Sequence, residues 1–191
     1  MPGVIRTRVG YAGGTTKNPS YHDLGDHSEA IQIDFDPARI SYRELVNIFR
    51  KSHDPTSGSW SRQYRQAIFY HSEQQRRVAI ETREQLASET NRRIATAIEP
   101  YLGFYLAEDY HQKHSLRSYP EILEEFRAMF PDIKSLLNST AVTHVNGYLG
   151  GNGSCNSLKE EIDSFGLSLR AKETLTFAVC GRKTSISCPV R

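Results

Sequence analysis

Between Ser28 and Phe35 the chain alternates strictly enough to leave few conformational options. Glu29, Ile31, Ile33 and Phe35 share one face, while Gln32 and Asp34 share the other. Side chains that repeat every two residues specify a strand with one face turned to a core. Asp36-Pro37 ends it, because proline has no N–H to give to a ladder. Shortly after, Ser41 and Glu44 have the spacing of a capping box, which opens a helix with Leu45, Ile48 and Phe49 along one side. A weaker alternation over 4–11 predicts an earlier strand, with Ile5, Val9 and Tyr11 on one face and Arg6 and Arg8 on the other. Gly13-Gly14 and Asn18-Pro19 then force a turn or loop.

Further along, 66–70 reads as a short strand, 73–90 as a polar helix with few apolar anchors, and 94–100 as another short strand. The order strand, strand, helix, strand, helix defines an α+β domain. The character changes after Tyr119. Ile122, Phe126 and Phe130 line one side of a helix over 121–130, and 147–153 is a glycine-rich, flexible connector. A helix over 158–165 is stopped by Gly166, and Ser168 starts another. The polar, basic run 181–191 is expected to be disordered. The expected organisation is therefore an α+β domain over 1–118, a helical extension over 119–180 and a tail over 181–191. No internal repeat is present.

Composition removes several function classes. With 24 basic against 22 acidic residues the net charge is +2, which argues against a dedicated nucleic-acid or polybasic membrane protein. No apolar run is long enough to span a bilayer, and Met1-Pro2-Gly3-Val4 begins no signal-peptide pattern. Cys155, Cys180 and Cys188 form no C-x-x-C pair, and so sparse and odd a set is a poor disulfide framework. A reducing compartment, the cytoplasm, is the expected location. His22, Asp23, Asp26 and His27 are metal-ligating types in one short stretch, but no further ligand spacing supports them, and a solvated turn is the favoured reading. Gly10, Gly13 and Gly14 are not followed by the Lys-Ser/Thr and helix start of a phosphate loop.

Several separate runs, in order, resemble the peptide methionine sulfoxide reductases of the A type. They are Val9-Gly10-Tyr11-Ala12-Gly13-Gly14, Asn18-Pro19-Ser20-Tyr21, His27-Ser28-Glu29, Ile40-Ser41-Tyr42, His53-Asp54-Pro55 and Gln63-Tyr64-Arg65-Gln66-Ala67-Ile68. The stretch from Phe104-Tyr105 through Ala107-Glu108 to His111-Gln112 continues the likeness, with His114 where the family usually has tyrosine. The resemblance covers roughly 2–116 and implies a ferredoxin-like α/β sandwich. It also implies that a strand and helix, with the nucleophilic cysteine in a Gly-Cys-Phe-Trp-Gly segment, precede Val4. No such segment occurs in this sequence. The implied first strand lies inside the sheet, so its absence would leave a gap bordered by unpaired backbone groups. The loop 57–62 is shorter than the family's, lacks its aspartate and carries Trp60 instead, which marks a divergent branch.

The resemblance implies a peptide-methionine (S)-S-oxide reductase that repairs oxidised methionine under oxidative stress. As it stands, without a nucleophile, the chain is expected to be inactive. Glu29 is the implied acid, with Tyr21 and Tyr64 as its companions. The pattern adds a physical reason: on the face of Ile31, Ile33 and Phe35 a carboxyl is desolvated, which favours the neutral, proton-donating form. Pattern alone favours a strand-end carboxylate reaching water, and the His27-Ser28-Glu29 motif of the resemblance reverses that preference. Phenols donate hydrogen bonds to a sulfoxide oxygen without bringing charge. Cys155, after Gly150-Gly151-Asn152-Gly153-Ser154, sits where relatives carry a resolving cysteine; a free cysteine opening a helix is the plainer reading. No bound cofactor or metal is expected. The implied partners are methionine-sulfoxide proteins or free methionine sulfoxide and a thiol reductant, thioredoxin or glutathione, acting on a monomer with no nucleic acid or membrane. The alternatives are a non-catalytic relative that binds oxidised-methionine peptides and, on the His/Asp set alone, a small metal-binding protein.

Overall fold

The computed structural model describes residues 1–181; the tail expectation therefore falls almost entirely outside the described residues. The chain divides into two compact units, Pro2–Gln112 and Lys113 onward. This division comes before the expected position at 118, and two adjacent side chains show why. Gln112 Nε2 donates to Val9 O at 2.8 Å and to Ala107 O at 2.9 Å, inside the first unit. Buried Lys113 extends its Nζ to Thr143 Oγ1 at 2.8 Å, inside the second.

The first unit is α+β. Its strands are β1 (Val4–Ala12), β2 (Ser28–Phe35), β3 (Ala67–Tyr70), β4 (Ala97–Pro100) and β5 (Phe104–Leu106), with helices α1 (Tyr42–Lys51) and α2 (Glu73–Thr90). The Ser41/Glu44 capping box forms as its spacing requires. β1 lies antiparallel between β2 and β5, with Val9 opposite Ile31 and Tyr11 opposite Glu29 on one edge and opposite Tyr105 on the other. Gly10 permits this close approach, because a Cβ there would sit 2.2 Å from Tyr105 O. Outside the core, Arg8 reaches across to Gln32 and Asp34.

β3 and β4 form a separate parallel pair, so the single sandwich sheet implied by the resemblance is here divided in two. Among the described residues, β2 and β3 do not pair with each other. Val9 gives its N–H to Gln112 Oε1 and its C=O to Ala107 N–H, so its cross-strand partner Ile31, and Ile33 likewise, turn their backbone groups away from β1. On β3, Gln66 and Tyr70 carbonyls serve β4, which turns the backbone groups of Ala67 and Phe69 to the opposite edge. A cleft of about 290 Å³ is lined by both strands, with Ile31, Ile33, Phe35, Ile68, Phe69 and Phe104 in its wall. Tyr42 also lines it, and its buried hydroxyl has no hydrogen-bond partner; burial pushes that phenol up to about 12. With apolar side chains spent on an open cleft, the compact core of this unit is small, centred on Tyr11, Leu24 and Ala107.

The second unit is helical: α3 (His114–Arg117), α4 (Pro120–Met129), α5 (Ile133–Asn138), α6 (Thr140–Leu149), α7 (Cys155–Glu161) and α8 (Leu169–Cys180). Its core is extensive and includes fully buried Leu116, Ile122, Phe126, Val142, Leu158 and Leu175. The expected helix over 158–165 starts earlier, at Cys155, because Ser154 caps it by accepting the Ser157 N–H. The expected flexible connector is corrected in part. Gly147, Tyr148 and Leu149 complete α6, and Tyr148 and Leu149 are buried in the core. Their apolar contacts hold a glycine-containing stretch helical against its propensity.

Candidate active site

Tyr11, buried at the end of β1, donates its hydroxyl proton to Glu108 Oε2 at 2.6 Å. The other carboxylate oxygen of Glu108 accepts the Tyr21 backbone N–H at 3.0 Å. Burial and then the carboxylate raise the Tyr11 phenol well above its ordinary range, while the Tyr11 and Tyr21 hydrogen bonds hold Glu108 down at about 2. The Tyr21 ring packs on His111, with centroids 4.6 Å apart. Sequence reading assigned Glu108 and Gln112 no role. The run from Ala107 to Gln112 was the available signal, and the structure shows that it ties the loop carrying Tyr21 to β1.

Glu29 is placed by a second set of contacts. Its backbone N–H donates to Gln63 O at 2.9 Å, and Gln63 Nε2 donates to its Oε1 at 2.8 Å. The same loop presents Tyr64, whose phenol is raised by its interaction with the neighbouring Tyr21, then by burial and by Glu29. Glu29, Tyr21 and Tyr64 are thus brought together. The expected burial of Glu29 is corrected. The side chain is exposed, and Ile31 on the same face is 57% exposed.

The loops are braced from below. Arg65 Nε donates to Ser28 Oγ, and its two terminal nitrogens grip the Glu99 carboxylate at 2.5 and 2.6 Å. Arg62 donates to the carbonyls of Asp26 and Gly13. Asp26 accepts from the N–H and hydroxyl groups of Thr15 and Thr16, which holds it well below the usual carboxylate range. His27 is buried with both ring nitrogens engaged: Nδ1 accepts from Gly14 N–H at 3.2 Å, and Nε2 lies 2.8 Å from Thr16 O. Asp26 and His27 therefore brace the loop, with their ligand atoms committed to the chain. The solvated turn expected describes exposed His22 and Asp23 but not His27, which is interior.

A cavity of about 330 Å³ opens beside these groups, lined by Val9, Tyr11, Tyr21, Glu29, Ile31 and His111. His111 Nε2 is buried without a hydrogen-bond partner. Glu29 and Tyr21 in the wall of a partly apolar cavity, with Tyr64 neighbouring Tyr21, can hold and protonate a polar oxygen on an otherwise apolar molecule.

The cysteines depart from the expected set of unpaired thiols. Cys155 and Cys180 are joined in a disulfide, their Cα atoms 4.9 Å apart. A separation of 25 residues hid this from the sequence; the packing of α7 against α8 brings the two together. Cys188 lies outside the described residues. The inference of a reducing compartment rested on unpaired cysteines and loses that ground. No helix among the described residues is long and apolar enough to cross a membrane.

The fold and this grouping define an α+β domain that presents an acid and a phenol, Glu29 and Tyr21, at a cavity, with Tyr64 neighbouring both. Comparison gives the family. The family model described as peptide methionine sulfoxide reductase matches residues 1–141. A peptide methionine sulfoxide reductase of Drosophila melanogaster is 39% identical over 87% of this chain and 67% of its own length. The MsrA of Methanothermobacter thermautotrophicus is 47% identical over 60% of this chain and 74% of its own. Among solved structures, methionine sulfoxide reductase A of Corynebacterium diphtheriae matches with TM-score 0.54 and 33% identity, over 63% of this chain and 66% of that one. Reduced Mxr1 of Saccharomyces cerevisiae matches with TM-score 0.57 and 32% identity, over 62% and 73%. The chain belongs to the peptide methionine sulfoxide reductase family and spans about two thirds of the length of several relatives it matches.

Proposed function

We propose that this chain is the acid-and-phenol part of a peptide-methionine (S)-S-oxide reductase whose nucleophile, a thiol or selenol, lies on a segment outside this sequence. The observation that carries the reading is that Glu29 and Tyr21 share the wall of one cavity, with Tyr64 neighbouring both, next to a cleft lined by β2 and β3. No cysteine precedes Cys155 in the sequence, so the α+β unit supplies no sulfur of its own. In the completed enzyme the thiolate attacks the sulfoxide sulfur while Glu29 gives a proton to the oxygen, held by Tyr21 and Tyr64. Methionine leaves as the thioether, and the nucleophile keeps the oxygen as a sulfenic or selenenic acid. A first thiol then displaces water to form a mixed disulfide, or the selenenyl sulfide, and a second thiol frees the nucleophile. Thioredoxin or glutathione supplies these electrons in a cytoplasmic setting, and the substrates are methionine-sulfoxide proteins or the free amino acid. Cys155 takes the resolving role once its bond to Cys180 has been reduced. We take the working unit to be a monomer.

The test is direct. The coding sequence upstream of Met1 is expected to continue in frame through a Phe-Trp-Gly-like segment preceded by a Cys codon or a UGA. Protein extended by that segment should reduce methionine-(S)-sulfoxide peptides with dithiothreitol, and the chain alone should not. Stereospecific turnover by the chain alone that vanishes in Cys155→Ser would overturn the assignment and make Cys155 the nucleophile.

A further inference from the structure

Trp60, the only tryptophan of the chain, is 86% exposed. An indole left in water forgoes more apolar burial than most side chains can offer. Its position is not that of a loose loop tip. Ser59 Oγ donates to Ser61 O at 2.7 Å, Arg62 holds the Asp26 and Gly13 carbonyls, and Gln63 is bonded to Glu29 twice. Within this braced loop the indole lies 5.4 Å, centroid to centroid, from Tyr64 at an interplanar angle of 46°. Tyr64 is itself 43% exposed and neighbours Tyr21. The two rings form a continuous aromatic surface that begins at the oxygen-holding phenols and runs outward.

We propose that Trp60 is a specificity-determining residue that grips the apolar residue next to methionine sulfoxide in a polypeptide, so that the site prefers oxidised methionine within a chain to the free amino acid. This rests on the reductase reading and extends it to the substrate class. With the sulfoxide oxygen at Tyr21 and Tyr64, a neighbouring side chain emerges over the Tyr64 ring and meets the indole. A free amino acid has no group to place there. Its indole N–H takes no acceptor among the described residues, which leaves it for a substrate backbone carbonyl.

The experiment needs no turnover, and the single tryptophan reports on its own site. The chain is titrated with acetyl-Val-Met(O)-Leu-amide and with N-acetylmethionine sulfoxide, following tryptophan emission and, in parallel, calorimetry. The tripeptide should shift the emission to the blue and bind about tenfold more tightly, the scale of one added aromatic contact. Trp60→Ala should abolish that preference, and Trp60→Phe should restore most of it. Equal affinities with no loss in Trp60→Ala would overturn the role of Trp60 while leaving the sulfoxide site standing. Binding of neither compound by calorimetry would overturn both readings.

Discussion

The Tyr21 backbone is fixed by Glu108, 87 residues away in sequence: Oε1 accepts its N–H at 3.0 Å while Oε2 accepts the Tyr11 hydroxyl at 2.6 Å. One carboxylate thus joins the buried end of β1 to the loop that carries a site phenol. A hydrogen bond to a charged group contributes about 1.5–3 kcal/mol in favourable settings, enough to decide where a glycine-flanked loop rests.

Glu108 should therefore set the acid limit of the α+β unit. Its folded value, about 2, lies below the ordinary 4.5. Its contribution is then complete above pH about 4.5 and is lost as pH falls toward about 2. Tyr11, raised in the fold, contributes below its ordinary 10.0 and loses that contribution as pH rises beyond it. Chemical denaturation from pH 2 to 7 should show a falling midpoint below pH 4.5 that is flatter in Glu108→Gln. An unchanged slope in that variant would mean that other carboxylates carry the acid sensitivity.

Gln112→Ala should destabilise the same unit out of proportion to its size. The amide replaces a missing strand neighbour, accepting from Val9 N–H and donating to Val9 O and Ala107 O. Each buried backbone group left unpaired costs about 1–3 kcal/mol. Urea unfolding should show a loss in that range or more, with faster hydrogen exchange at Val9. Wild-type protection at Val9 would show that water takes over the role of the amide.

What the sequence disclosed follows from the range of the forces involved. The alternation of β2, the Ser41/Glu44 cap and the bounds of α2 depend on neighbours a few residues away, so they were legible. The grouping of Glu29, Tyr21 and Tyr64 was reachable only through ordered motifs, since no local pattern distinguishes two tyrosines among 10. Exposure of Glu29 depends on what covers β2, and the Cys155–Cys180 bond depends on how α7 meets α8. Neither is encoded by local spacing.

That disulfide should stabilise the helical unit. Closing a loop of 25 residues restricts the unfolded chain by roughly 2–4 kcal/mol. Cys155→Ser combined with Cys180→Ser should lower the unfolding midpoint of the helical circular-dichroism signal and raise hydrogen exchange in α7 and α8. Wild-type protein treated with dithiothreitol should behave like the double variant. If reduction and substitution both leave the midpoint where it was, the bond adds no stability and its value is in thiol exchange alone.

The proposed assignment of Glu29 as acid meets its sharpest test in protein extended by the proposed nucleophile segment. Glu29→Gln keeps the hydrogen bond from Gln63 Nε2 available to an amide oxygen but has no proton to release. Single-turnover reduction of methionine-(S)-sulfoxide peptide should slow by about 10²–10⁴-fold, the range for loss of a general acid. Tyr21→Phe and Tyr64→Phe should each cost less, because the remaining phenol and the acid still hold the oxygen. Their combined loss should exceed either alone, as expected of groups that share one charge-developing atom. The exposed position of Glu29 adds a condition: the acid works best when substrate or the nucleophile segment excludes water from it. The Glu29→Gln deficit should accordingly be larger with a peptide that covers the site than with free methionine sulfoxide. Near-normal single-turnover rates in Glu29→Gln would leave Glu29 a solvated strand-end carboxylate and move the proton source to another group.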